Sequence, residues 1–306
     1  MNLRAWAGGA LLVVAALAAA WSLAYPQAAP ASASARAIAD YAAVATLGLA
    51  AVPAFDTGRH RAELAGRAAS PLAAVSAAWL LTEVIRQLLV AAQQAAVPLT
   101  RLAVRAALEF ALHTTPGRAG LASITSAALV CVVVLGFPRS PPHVIATIGL
   151  AAAGVVARAV SGHLAENVLG AGAVALHALA AALWCGVLAG LVVTVDHRGQ
   201  WARVLPRFSR LSLACVAVLL VSGTVAGLLV IRSPAELYDT GYGRLLLAKV
   251  AMAVVLVALG WRNRTGWLPA ARSHRVSATE SRRRSLLELA LMVVALTLAA
   301  ALVVTG

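Results

Sequence analysis

Long apolar stretches alternate with short polar ones along the chain, and the apolar stretches are the right length to be helices that cross a lipid bilayer. Runs of 17–28 residues predict spans at about 8–25, 37–54, 70–97, 121–137, 142–160, 170–195, 208–230, 243–261 and 285–304. A hydrocarbon core of about 30 Å asks for about 20 residues of helix at 1.5 Å each, and the runs meet that length. A transmembrane β-barrel would show ten-residue segments of strict alternation instead, so the pattern predicts an all-α, polytopic transmembrane bundle of about nine spans.

Two stretches depart from the simple alternation. Residues 1–35 read as Arg4, an 18-residue apolar run and then the small-residue segment AAPASASA, a pattern shared by a retained first span and a secretory signal peptide. The bundle has eight spans if that segment is cleaved. In residues 98–120, Leu102, Leu108 and Leu112 interleave with Arg101, Arg105 and Glu109, which predicts an amphipathic helix lying in the membrane interface.

Composition strengthens the membrane reading. Hydrophobic residues make up 61% of the 306 and charged ones 12%, more apolar surface than a soluble domain could bury. The net charge of +14 would suit nucleic acid if the basic residues were clustered, but they fall in the connections between spans. With the N-terminus cytosolic, the inner connections hold 16 arginines and the outer ones 7, Arg158 among the latter. That bias predicts a multi-pass protein of the cytoplasmic membrane with its C-terminus outside, whose partner is the lipid bilayer and not nucleic acid. Cys131, Cys185 and Cys215 all lie in apolar runs, which argues against a disulfide framework. No Walker loop, HExxH, CxxC or nucleophile elbow occurs, so hydrolysis and ATP-driven pumping lack a motif and no nucleotide cofactor is expected.

Polar residues inside the apolar runs are the candidates for chemistry, because each must find a partner, a cavity or an ion. His177 lies about 10 Å into the sixth span, seven residues before Trp184, and seven steps of 100° put imidazole and indole on one face. His163 precedes that span in the outer loop, followed by Glu166 and Asn167, and His113 falls on the same outer side. Glu83, Arg86 and Gln87 form an i, i+3, i+4 set in the third span, read as a polar clamp or as a proton or ion relay. Tyr242 and Lys249 share the eighth span, with Lys249 at nearly the depth of His177. Ser222, Gly223, Thr224 and Gly227 read as small residues that let helices approach.

From Ser161 onwards the sequence resembles the CopD family of bacterial copper-resistance and copper-uptake membrane proteins. The matching pieces, in family order, are SGH at 161–163, HALAAALWCG at 177–186, RFSRLSLACVAVLLVSGTVAG at 207–227, TGYGRLLLAKV at 240–250 and LLELALMVVALTLAAAL at 286–302. Residues 36–137, with TEVIRQ at 82–87, more loosely resemble the N-terminal half of actinobacterial members. The resemblance divides the chain into the first span or signal peptide, an N-terminal bundle over 36–160 with the interfacial segment near 98–120, and a CopD-like domain over 161–306. Two features depart from the family: Trp184-Cys185-Gly186-Val187 replaces its Trp-x-Gly-Gly, and the only methionines are Met1, Met252 and Met292.

The resemblance implies copper movement across the cytoplasmic membrane, most simply inward, in the service of copper homeostasis or resistance, by a protein that is not an enzyme. The copper ion would be cargo, held transiently by His163, His177 and, as a third ligand, His113, since imidazole suits both copper oxidation states. Trp184, Lys249, Tyr242, Glu83 and Arg86 would support that site, and Met252, Cys131, Cys185 and Cys215 offer a soft-ligand ladder for Cu(I). A periplasmic or extracellular copper-binding protein is a compatible partner. Two other readings remain open at this point: a haem-binding membrane redox protein, and an assembly factor that delivers copper to a cuproenzyme without net transport.

Overall fold

The computed structural model describes residues 3–27, 29–138, 140–162, 167–231, 233–273 and 275–305. Every regular element among them is helical: α1 (Leu3–Ala24), α2 (Pro30–Ala51), α3 (Gly58–Gln94), α4 (Val104–His113), α5 (Thr115–Gly136), α6 (Pro141–Ala159), α7 (Val168–Thr194), α8 (Arg198–Val230), α9 (Glu236–Asp239), α10 (Gly241–Arg262), α11 (Leu268–Arg272) and α12 (Ala278–Thr305), with a π-helical turn over Asn263–Trp267. Among the described residues nine helical stretches are long and apolar enough to cross a membrane. Large apolar side chains such as Leu135, Ile145 and Leu228 stay exposed on them, which suits a surface wetted by lipid. The chain is an all-α, multi-pass membrane protein.

Several helices outrun their apolar runs. The first three turns of α3 are polar, yet Arg67 reaches Glu63 at 2.8 Å in the i, i+4 geometry that supports a helix, and α3 begins at Gly58. The segment expected as one amphipathic helix over 98–120 is shorter. A 3-10 turn over Leu99–Arg101 leads into α4, on which Val104, Leu108 and Leu112 form an exposed apolar row beside the Arg105–Glu109 pair at 2.8 Å. Thr114 then turns the chain: its hydroxyl accepts from the N–H of Gly117 at 3.0 Å, and Pro116 follows in the first turn of α5. Residues 115–120 therefore open the next span and do not extend the interfacial helix.

Contacts group the chain into two compact units that are interleaved in sequence. The first comprises Met1–Ala37, Leu191–Ala214 and Ile231–Gly306, and the second Ile38–Gly190 with Cys215–Val230. In the first, α1, α10 and α12 pack around Ala20, Ala24, Ala33, Leu245, Leu298, Ala301 and Leu302. Arg244 ties the end of α1 to α10 by donating to the carbonyls of Leu23, at 3.0 Å, and Tyr25. At the other end of α10, Asn263 donates to the buried Glu288 of α12 at 2.9 Å.

In the second unit α3, α5 and α6 pack together, with Trp79 of α3 fully enclosed. Here α2 crosses α7 at Gly48 and Gly186, where a Cβ on Gly48 would overlap the Gly186 backbone. Gly190, one turn further along α7, also faces Gly48. The close approach that the missing second glycine of a Trp-x-Gly-Gly would have offered is supplied by Gly186 and Gly190, four residues apart, in the small-xxx-small pattern. Val187, in the family's glycine position, is fully buried.

Candidate functional site

His177 stands half-buried in the third turn of α7. Its Nδ1 lies 3.1 Å from the Ser222 hydroxyl oxygen of α8, and that hydroxyl donates to the carbonyl of Val218 at 2.6 Å. Gly223 gives the ring room: a Cβ there would stand 3.3 Å from Cε1 of the imidazole. The residues taken as general helix packing, Ser222 and Gly223, are thus the ones that meet the histidine. Trp184, two turns along α7, is buried, and its Nε1 is enclosed with no hydrogen-bond partner among the described residues. The indole is seated by packing alone.

His163 and Glu166 lie outside the described residues. Asn167 caps the start of α7, its side-chain oxygen accepting from the N–H of Leu169 at 2.9 Å. His113 is exposed at the end of α4, with Nδ1 3.3 Å from the Glu109 carbonyl one turn back. Among the described residues no group of three or more His, Cys, Asp and Glu side chains could hold a metal.

A second polar constellation lies in the same unit. Glu83 of α3 is fully buried and receives two guanidinium groups: Arg86 donates to its Oε1 at 2.9 and 2.6 Å, and Arg158 of α6 to its Oε2 at 2.7 Å. Arg158 also pairs with Asp40 of α2. Gln87 extends the set, taking a long bond of 3.4 Å from Arg86 and donating to the carbonyl of Gly117 in α5 at 2.9 Å. The i, i+3, i+4 trio does pair internally as expected. Arg158 corrects the topology reading: it is 5% exposed and belongs to this cluster, not to an outer loop, because two carboxylates meet the end of α6.

The remaining candidates separate. Tyr242 and Met252 pack against the apolar cluster of α1, α10 and α12. Lys249 is half-buried on α10 with no ion-pair partner among the described residues. Cys185 and Cys215 are buried and Cys131 is half-buried, all three as free thiols. Met252 belongs to the first unit and the three cysteines to the second.

Comparison with known proteins finds a likeness for part of the chain. Residues 202–302 match the model of the family described as Copper resistance protein D. The Copper transport protein CutJ of Bacillus subtilis (strain 168) is 35% identical over 116 residues, which cover 35% of this chain and 21% of that protein. The chain thus spans about a fifth of the length of the curated relative it matches. No solved structure matches it. The CopD-matched stretch takes in α8, including the Ser222 and Gly223 that seat His177, as well as α10 and most of α12. Over that stretch, a third of its length, the chain is similar to the CopD family.

Proposed function

We propose that this chain carries copper inward across the cytoplasmic membrane, with His163 and His113 at the outer mouth and His177 as the first ligand within the bundle. The observation that carries the reading is His177 itself. It is an imidazole inside a membrane span, half-buried, within hydrogen-bond distance of Ser222 on a neighbouring helix, and apposed to the stretch that matches the copper family. Such a residue is costly in lipid unless it serves an ion or a partner. The arginine bias supports a cytosolic N-terminus. Inward movement needs no nucleotide, since each positive charge gains about 2.3 kcal/mol per 100 mV of membrane potential.

The test is copper flux into proteoliposomes holding the full chain under an imposed potential, compared with His177→Ala. Flux in the native protein and its loss in the variant are expected. Equal flux in both would overturn the role of His177. Copper binding without any flux would replace transport by delivery to another protein.

A further inference from the structure

We infer that Ser222 is a positioning residue that fixes which nitrogen of His177 meets the metal: it holds the proton on Nδ1 and leaves Nε2 as the coordinating atom. A serine hydroxyl has one proton to give. At 2.6 Å from the carbonyl of Val218, one turn back on α8, that proton is committed to the helix backbone, and the next nearest acceptor, the carbonyl of Leu219 at 3.5 Å, lies on the same side. Toward His177 the Ser222 oxygen therefore offers a lone pair, so the nitrogen 3.1 Å away must be the donor. In a neutral ring with the proton on Nδ1, the lone pair is on Nε2.

The seat at Gly223 points the ring the same way. A Cβ built on that glycine would meet Cε1 at 3.3 Å and Nδ1 at 3.6 Å, and no other ring atom within 4 Å. The Nδ1–Cε1 edge faces Gly223 of α8, and Nε2 lies beyond 4 Å of that Cβ position. Second-shell partners of this kind set tautomer and ring orientation in metal-binding histidines, and their loss typically weakens metal binding about 10–100-fold. The identification of the metal as copper rests on the function proposed above, whereas the placement of the proton does not.

The experiment has a copper arm and a proton arm, both on the full chain in detergent. In the first, Cu(I) affinity is measured against a competing chelator. Ser222→Ala should weaken binding about 10–100-fold, with Ser222→Thr, which keeps the hydroxyl, close to the native protein. Replacing His177 by Nδ1-methylhistidine should cost no more than Ser222→Ala, whereas Nε2-methylhistidine should abolish binding at this residue. In the second arm, nitrogen-15 spectra of the copper-free protein, with the His177 signal assigned by its disappearance in His177→Ala, should show the Nδ1–H tautomer, and Ser222→Ala should lose that preference. A thermal melt of each variant confirms that it is folded. An Nε2–H tautomer in the native protein, or a Ser222→Ala variant indistinguishable from it in both arms, would overturn the inference. If His177→Ala binds copper as well as the native chain, the copper reading fails alone and the spectra still judge the hydrogen bond.

Discussion

Two polar sites lie within the membrane helices of the second unit, and they are built on opposite principles. Around Glu83 two carboxylates meet two guanidinium groups on α2, α3 and α6, so the charges cancel and both Glu83 oxygens accept from arginine. His177 meets the neutral Ser222 hydroxyl, has a glycine beside it and is half-exposed. Charges paired in this way in a low-dielectric setting hold their helices together. A half-exposed imidazole on a helix face keeps coordinating capacity. That pairing supports the clamp reading of Glu83, Arg86 and Gln87, and the function proposed above rests its chemistry on the histidine.

Removing the centre of the closed cluster gives the largest effect. Glu83→Gln leaves Arg86 and Arg158 with a neutral amide between them, and breaking a buried pair in this way costs about 3–5 kcal/mol. The variant should melt well below the native protein in detergent, and copper flux should fall only as far as folded protein is lost. A folded Glu83→Gln variant with native stability and no flux would make the cluster a working part and erase the contrast.

His177→Ala should behave in the reverse manner. Loss of the ligand itself should weaken copper binding by more than about 100-fold, beyond what second-shell changes cause. Its melting temperature should stay close to native, because the ring is half-buried and its bond to Ser222 is neutral, a contribution of about 1 kcal/mol. A large stability loss here would show the histidine to be a packing element.

These two sites also differ in how far they can be read from the sequence. The nine apolar stretches were legible because bilayer thickness imposes one length on each, and Glu83, Arg86 and Gln87 were legible because i, i+3 and i+4 neighbours must meet on a helix. Arg158 and Asp40 were not, since they reach the cluster across sequence separations of 75 residues from Glu83 and 118 from each other. A signal did exist: Asp40 and Arg158 each stand inside an apolar run predicted to cross the membrane, where a charge needs a partner of opposite sign. Ser222 was read as packing because serine is both small and polar, and only the facing helix decides which property is used.

Asp40 tests how evenly the closed cluster shares its load. Its side chain is 20% exposed, against none for Glu83, so water already screens part of its interaction with Arg158. Asp40→Asn leaves Arg158 bonded to Glu83 and should cost about 1–3 kcal/mol, less than Glu83→Gln, in the same thermal melt. Equal losses in the two variants would mean that the cluster behaves as one unit with no dominant member, which a Glu83→Gln, Asp40→Asn double-mutant cycle would report as strong non-additivity.

The smallest effect is expected at Met252, which separates soft-ligand chemistry from packing. Its thioether was a candidate rung for Cu(I), yet its surroundings are Leu245, Leu298 and the small residues of α1 and α12, an apolar cluster with no sulfur or nitrogen ligand among its members. Met252→Leu conserves volume there and should cost less than about 1.5 kcal/mol. Copper affinity and flux should be unchanged, because the variant removes a thioether that no other described ligand accompanies and leaves Nε2 of His177 in place. A Met252→Leu chain that folds normally but transports copper slowly would move the chemistry from the imidazole to the thioether, and with it the division between a unit that packs and a unit that binds.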